Sequence, residues 1–174
     1  MRLAAFLLGL AALASSCAIG MSDGLAPGTP APALVVDDWV NTDAPIDLAD
    51  LVEEGEAPVL VEFWSKDCSP CRGRIEEMQA IHADFGDRLR VVTVHVSLER
   101  QAPRQDAAAV RAFVAEWGIE YPVAIPQTGD ALDAFEFRFL PHALLLDTDG
   151  TVVWSANAGS GDVLDAVEDL LCPR

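Results

Sequence analysis

Cys68 and Cys71, three residues apart in FWSKDCSPCR (residues 63–72), are the side chains of this sequence best suited to chemistry. Cysteines at i and i+3 at the start of a helix lie on one face, within the Cα separation of roughly 4.4–6.8 Å that a disulfide needs. The ring such a bond closes is small, so it removes little entropy from the unfolded chain and serves poorly as a staple. The unpaired amides of a helix N-terminus would instead favour a thiolate on the first sulfur. On this reading Cys68 is the attacking thiol, and Cys71, one turn in and more buried, attacks the resulting mixed disulfide and releases the reduced substrate. Zinc is the rival chemistry. Structural zinc takes four ligands, and the other candidates, Cys17, Cys172, His82, His95 and His142, supply no second half-site. The motif by itself leaves redox and zinc readings open.

Such a pair needs a strand to deliver it and a helix to hold it. PVLVEFW (58–64) is too continuously apolar for a half-exposed strand and suits a central strand covered on both faces. From Ser69 onward Ile75, Met78, His82 and Phe85 recur at helical spacing, and Gly86 offers a stop. Further along, RVVTVHVS (90–97) reads as a strand and DAAAVRAFVAEWG (106–118) as a helix ending at glycine. YPVAI (121–125) is a short extended piece, and GDALDAFEF (129–137) a short helix before Pro141. HALLLDTDGTVVWSA (142–156) is a hairpin turning at DTDG, and DVLDAVEDLL (162–171) a closing amphipathic helix. Upstream, LVVDDWV (34–40) suggests a short first strand and IDLADLVEEG (46–55) a short helical segment. Strands alternating with crossover helices imply parallel pairing in the first half, while the hairpin implies antiparallel pairing in the second. The expected class is α/β, with a mixed central sheet flanked by helices.

At 174 residues and 51% hydrophobic content the chain is long and apolar enough for one ordinary domain. Its 28 acidic residues against 11 basic give a formal charge of −17, which argues against nucleic acid or anionic membrane surfaces as partners. Residues 1–17 read as an export signal: Arg2, then an apolar stretch from Leu3 to Ala14, then small residues. That stretch is short of the about 20 apolar residues of a membrane span, although counting on to Met21 leaves an uncleaved anchor open. LASSC, ending at Cys17, resembles a bacterial lipobox with Ala14 at the usual leucine position, so acylation of Cys17 competes with simple cleavage near Ser16 or Ala18. Residues 18–33, with three prolines and two glycines in SDGLAPGTPAPA, read as a flexible linker, which places the domain at 34–174. An exported domain sits where disulfides persist.

VLVEFWSKDCSPCR followed by a helix, then VVTVHVS, FVAEWGIEYPVAI and FLPHALLLDTDG, resembles the extracytoplasmic thioredoxin-like proteins of the TlpA/ResA type over residues 34–172. The resemblance implies a thioredoxin fold and a thiol:disulfide oxidoreductase. Such an enzyme works on protein thiols or disulfides together with a redox partner and needs no diffusible cofactor. Three further residues follow from it. Glu62 matches the buried acid that moves a proton to or from the second cysteine, a task for which burial, by raising a carboxyl's pKa, is suited. Pro141 matches the cis-proline that faces the cysteine pair and lets a substrate strand bond beside it, and Trp64 matches the aromatic before the active-site loop. Asp67 and His142 depart from the family, which commonly has tryptophan and threonine there; Arg74 and Glu76 stand where glutamate and proline are frequent. The departure at His142 opens an alternative, a copper-binding chaperone of the same fold using Cys68, Cys71 and His142. His82 and His95 read as core histidines, DTDG as a turn lacking the later ligands of a calcium loop, and Cys172 as a free thiol or a bridge to Cys17.

Overall fold

The computed structural model describes residues 24–34, 36, 38–53, 57–97, 106–126, 133–157 and 161–172. Its strands are Trp39–Val40 (β1), Val59–Trp64 (β2), Arg90–His95 (β3), Val123–Ala124 (β4), His142–Leu146 (β5) and Val152–Asn157 (β6). Its helices are Leu48–Glu53 (α1), Ser69–Phe85 (α2), Ala107–Glu116 (α3) and Val163–Leu171 (α4). One sheet carries the strands in the order β1-β4-β3-β2-β5-β6. β2 pairs with β3, and β3 with β4, in parallel, whereas β5 runs antiparallel to both β2 and β6. The mixed sheet is therefore as expected, with β2 in its interior and buried at every position.

Because β2, β3 and β4 step across the sheet in one direction, their right-handed crossovers put α2 and α3 on the same face. There Ile75, Met78 and Ile81 of α2, Val110 and Val114 of α3, and Val163 and Val167 of α4 pack on Leu60, Trp64, Val91 and Leu145. The opposite face buries Val61, Phe63, Val94, Leu144 and Leu146 under Leu25, Leu34, Leu48, Phe135 and Phe137.

Local chemistry fixes the boundaries. Pro70 sits in the first turn of α2, where a missing N–H costs nothing. Asp106 and Asp162 cap α3 and α4 by accepting from the N–H groups of Ala109 and Asp165. In the hairpin Asp147 Oδ1 accepts from the N–H groups of Asp149 and Thr151, and Gly150 takes φ 81°, so DTDG is a turn.

Two boundaries differ from expectation. The linker reading of 18–33 fails from Gly24 on, because Gly24–Ala31 is bound to the sheet. Gly28 N–H donates to Val152 O at 2.8 Å, Ala31 N–H donates to Gly150 O at 2.9 Å, and Leu25 is buried. Among the described residues of the first strand expected over 34–40, Trp39–Val40 forms the strand, antiparallel to β4 at the far edge. Val35 and Asp37 lie outside the described residues, as do the export signal, Cys17 and residues 129–132 of the short helix expected before Pro141.

Candidate active site

β2 runs out at Trp64 into a three-residue turn, where Cys68 N–H donates to Ser65 O at 3.1 Å. Cys68 is the N-cap of α2, and its Sγ accepts from Cys71 N–H at 3.3 Å. The two sulfurs are joined as a disulfide with a Cα–Cα distance of 5.3 Å. Cys68 is 7% exposed and Cys71 2%, so the outer sulfur is the one a substrate reaches first. The charges beside the pair are engaged locally. Lys66 Nζ lies 2.9 Å from the Asp67 carboxylate, while Arg72 donates to Lys66 O at 3.2 Å and lies over the Trp117 ring at 6.0 Å.

Alternation along β2 puts Leu60, Glu62 and Trp64 on the α2 face. Glu62 is 2% exposed and its Oε1 has no hydrogen-bond partner. Burial pushes its carboxyl up from 4.5 to about 8, against the pull of Arg74 and with a further push from Glu77. The phenol of Tyr121 is also pushed up, first by burial and then by the neighbouring Glu62. Glu62 therefore stays neutral well beyond the ordinary carboxylate range and titrates near the pH at which thiols do.

Trp64 is core on every side: edge-on to His95 at 5.0 Å, against Phe113 at 5.7 Å, and donating to Thr93 Oγ1 at 3.3 Å. The Leu140–Pro141 bond is cis. Pro141 opens β5 at the end of the sheet where β2 finishes, since His142 registers against Phe63.

That register corrects the copper site. His142 shares the face of Phe63, its ring stacked on Phe137 at 5.1 Å and its Nε2 3.1 Å from Ser155 Oγ, whereas the cysteines belong to the core of the other face. The structure does not bring Cys68, Cys71 and His142 together, and among the described residues no three His, Cys, Asp or Glu side chains gather as a metal site. His82 is half-buried, edge-on to Tyr121 at 6.4 Å. His95 does more than fill the core, for its Nε2 accepts from Lys66 N–H at 3.1 Å and so holds the turn before Cys68. The signal for that was its position across from Trp64 in the parallel ladder. Cys172 is a free, exposed thiol with Arg88 Nη1 at 4.0 Å.

A sheet of this order with a disulfide at the N-terminus of the helix after its central strand defines a thioredoxin-like protein with a dithiol/disulfide site. Residues 27–155 match the AhpC/TSA family, and the chain belongs to that family. Thiol-disulfide oxidoreductase YkuV of Bacillus subtilis (strain 168) is 29% identical over 107 residues, which are 62% of this chain and 71% of that one. Thiol-disulfide oxidoreductase ResA of the same organism is 27% identical over 132 residues, 75% and 67% of the two chains. Among solved structures, the thioredoxin-like superfamily protein SPOA0173 superposes with a TM-score of 0.70 at 26% identity, covering 82% of this chain and 94% of that one. The TlpA/ResA-like pattern of the sequence thus has its counterpart in both relatives and fold.

Proposed function

We infer that this chain is an extracytoplasmic thiol:disulfide oxidoreductase in which Cys68 attacks, Cys71 resolves and Glu62 carries the proton. In the reducing direction the Cys68 thiolate attacks one sulfur of a substrate disulfide. A Cys68–substrate mixed disulfide forms and the first substrate thiolate leaves. Cys71 then gives its proton to the Glu62 carboxylate and attacks Cys68 Sγ, which closes the Cys68–Cys71 bond and expels the second substrate thiolate. Two electrons pass from the dithiol to the substrate, and both leaving thiolates take up protons. The reverse sequence oxidises a dithiol. Electrons enter and leave as thiols of protein partners, so no diffusible cofactor takes part.

The observation that carries this reading is the disulfide itself, placed at a helix N-terminus with its outer sulfur accepting from a backbone N–H. Such a cap favours the thiolate form of Cys68 once the bond is opened. A buried carboxyl whose oxygen lacks a partner supports the role given to Glu62. Pro141, beside the end of β2, presents the backbone edge along which an extended substrate segment lies, and Trp64 fixes the floor of the turn.

Residues 1–17 direct export, and acylation of Cys17 would tether the domain to a membrane. Mass spectrometry of the mature N-terminus checks this: a lipid-free chain starting after Cys17 ends the tether. The activity is tested by insulin reduction. The wild-type chain turns over and Cys68→Ser does not; turnover retained by Cys68→Ser overturns the assignment.

A further inference from the structure

The second turn of α2 puts an arginine against the buried acid. Arg74 follows Cys71 by three residues, one helical turn, and only 13% of its side chain is exposed. Its Nε lies 3.8 Å from Glu62 Oε1, and its Nη1 lies 3.4 Å from Glu77 Oε2, on a side chain 30% exposed. Both distances are ion-pair contacts outside the roughly 3.2 Å limit of a good N–H···O bond. One guanidinium thus stands between two carboxylates and is fully committed to neither. A guanidinium keeps its charge through the whole working pH range, so any change at this trio happens on the carboxylates.

We propose that Arg74 is a positioning residue for disulfide exchange, a cation of constant charge shared by Glu62 and Glu77 that closes on Glu62 when it is ionised and turns to Glu77 when it is protonated. The proposal rests on the reading of Glu62 as proton carrier and assigns what sets the timing of that proton. With Glu62 ionised, the Arg74 guanidinium is the cation that pairs with the buried charge among the described residues. As Cys71 gives its proton to Glu62, that charge vanishes, and the attraction of Glu77 holds the guanidinium clear of the carbonyl-like oxygen left behind. When the proton returns to Cys71, the sequence reverses.

The surroundings leave this pair in control. From β3 and β5 the cross-strand neighbours of Glu62 are Thr93 and Ala143, which carry no charge. His95, further along β3, has its Nε2 turned to Lys66 N–H. Tyr121, just before β4, is buried, with His82 of α2 edge-on to it. The buried residues of α3 and α4 are valines, Val110, Val114, Val163 and Val167. The electrostatic signs agree with the geometry, since Arg74 favours the ionised form of Glu62 and Glu77 opposes it.

The test is the titration of the Glu62 side-chain carboxyl by carbon NMR in the oxidised full chain, for the wild type, Arg74→Gln, Arg74→Lys and Glu77→Gln. Glu62→Gln assigns the signal, and the pH profile of exchange is measured in parallel. Arg74→Gln is expected to move the Glu62 midpoint up by about one pH unit or more, Arg74→Lys to restore most of it, and Glu77→Gln to move it down. Movement in opposite directions is what a merely structural loss cannot produce. No shift in either variant, or shifts of the same sign, overturns the proposal. Should Arg74→Gln not fold, the direction of the Glu77→Gln shift decides, because that side chain is partly in solvent. Midpoints that move while the exchange profile stays still uphold the shared cation and sink Glu62 as proton carrier. Midpoints that stay while Glu62→Gln alters the profile do the reverse.

Discussion

Glu62 and Phe63 are consecutive residues of β2 and face opposite sides of the sheet, into two interiors of different character. Phe63 meets Phe137 at 4.5 Å and Phe135 at 4.8 Å, with His142 beside it in the ladder. That face is sealed by the segment that starts at Gly24, where a Cβ would sit 2.3 Å from His142 Nε2. Its polar ring is stacked on Phe137 and bonded to Ser155. Glu62 looks toward α2, where its Oε1 has no hydrogen bond and its nearest cation stands 3.8 Å off. Both faces bury an ionisable group. His142 has a stacked ring and a bonded Nε2, whereas a charge on Glu62 would be neither solvated nor well paired and so would cost a great deal to form.

The contrast predicts that variants on the Phe63 face change stability and leave the chemistry alone. Phe63→Ala should lose about 3–5 kcal/mol in urea unfolding, since it opens a cavity in a packed aromatic cluster. Among molecules that remain folded, the pH profile of exchange should stay where it is; a shifted profile would mean that the two faces are coupled.

Glu62→Gln should do the opposite, with an effect that depends on pH. The folded state holds the carboxyl proton up to about 8, while the unfolded state releases it near 4.5. Between those values the folded state binds more protons, so the wild-type chain loses stability as pH rises through the window. Glutamine has nothing to titrate. Compared by urea unfolding at about pH 5 and about pH 9, Glu62→Gln should gain on the wild type by a few kcal/mol at the higher pH, and its exchange profile should flatten. Parallel stability curves would remove Glu62 as a buried acid.

Gly24→Ala is the next smaller step. Gly24 has φ 98°, and an added methyl would run into His142 and Ser155, so a loss of about 1–3 kcal/mol is expected in thermal or urea unfolding, without change in turnover. Smallest is Asp106→Ala, which removes the cap of α3 and should cost about 1 kcal/mol. Because α3 packs on the reactive face, unchanged exchange in this variant would show that stability lost on that face does not by itself disturb the site.

What the sequence made legible was local. The unbroken run of β2, the i, i+3 cysteines, the proline-bearing start of α2 and the Asp147 turn each draw on neighbours within a few positions, so strand, helix and hairpin were readable from the residues. What it hid was carried by distant partners. The Pro/Gly-rich stretch from Gly24 looked like spacer because its hydrogen bonds run to Gly150 and Val152 at the other end of the chain. His142 follows Pro141 and so reads as a neighbour of the cysteines, but the side of the sheet it takes is set by its pairing with Phe63. Arg74 stood out only as a departure from a family pattern, and its partner Glu62 lies on another element.

The central claim is that Cys68 is the sulfur that attacks. The direct measurement is to incubate reduced Cys71→Ser with a peptide disulfide and map the covalent adduct by mass spectrometry of the digest. The account predicts one stable mixed disulfide, on Cys68, that the wild-type chain does not accumulate. An adduct confined to Cys172, or none at all, would contradict it.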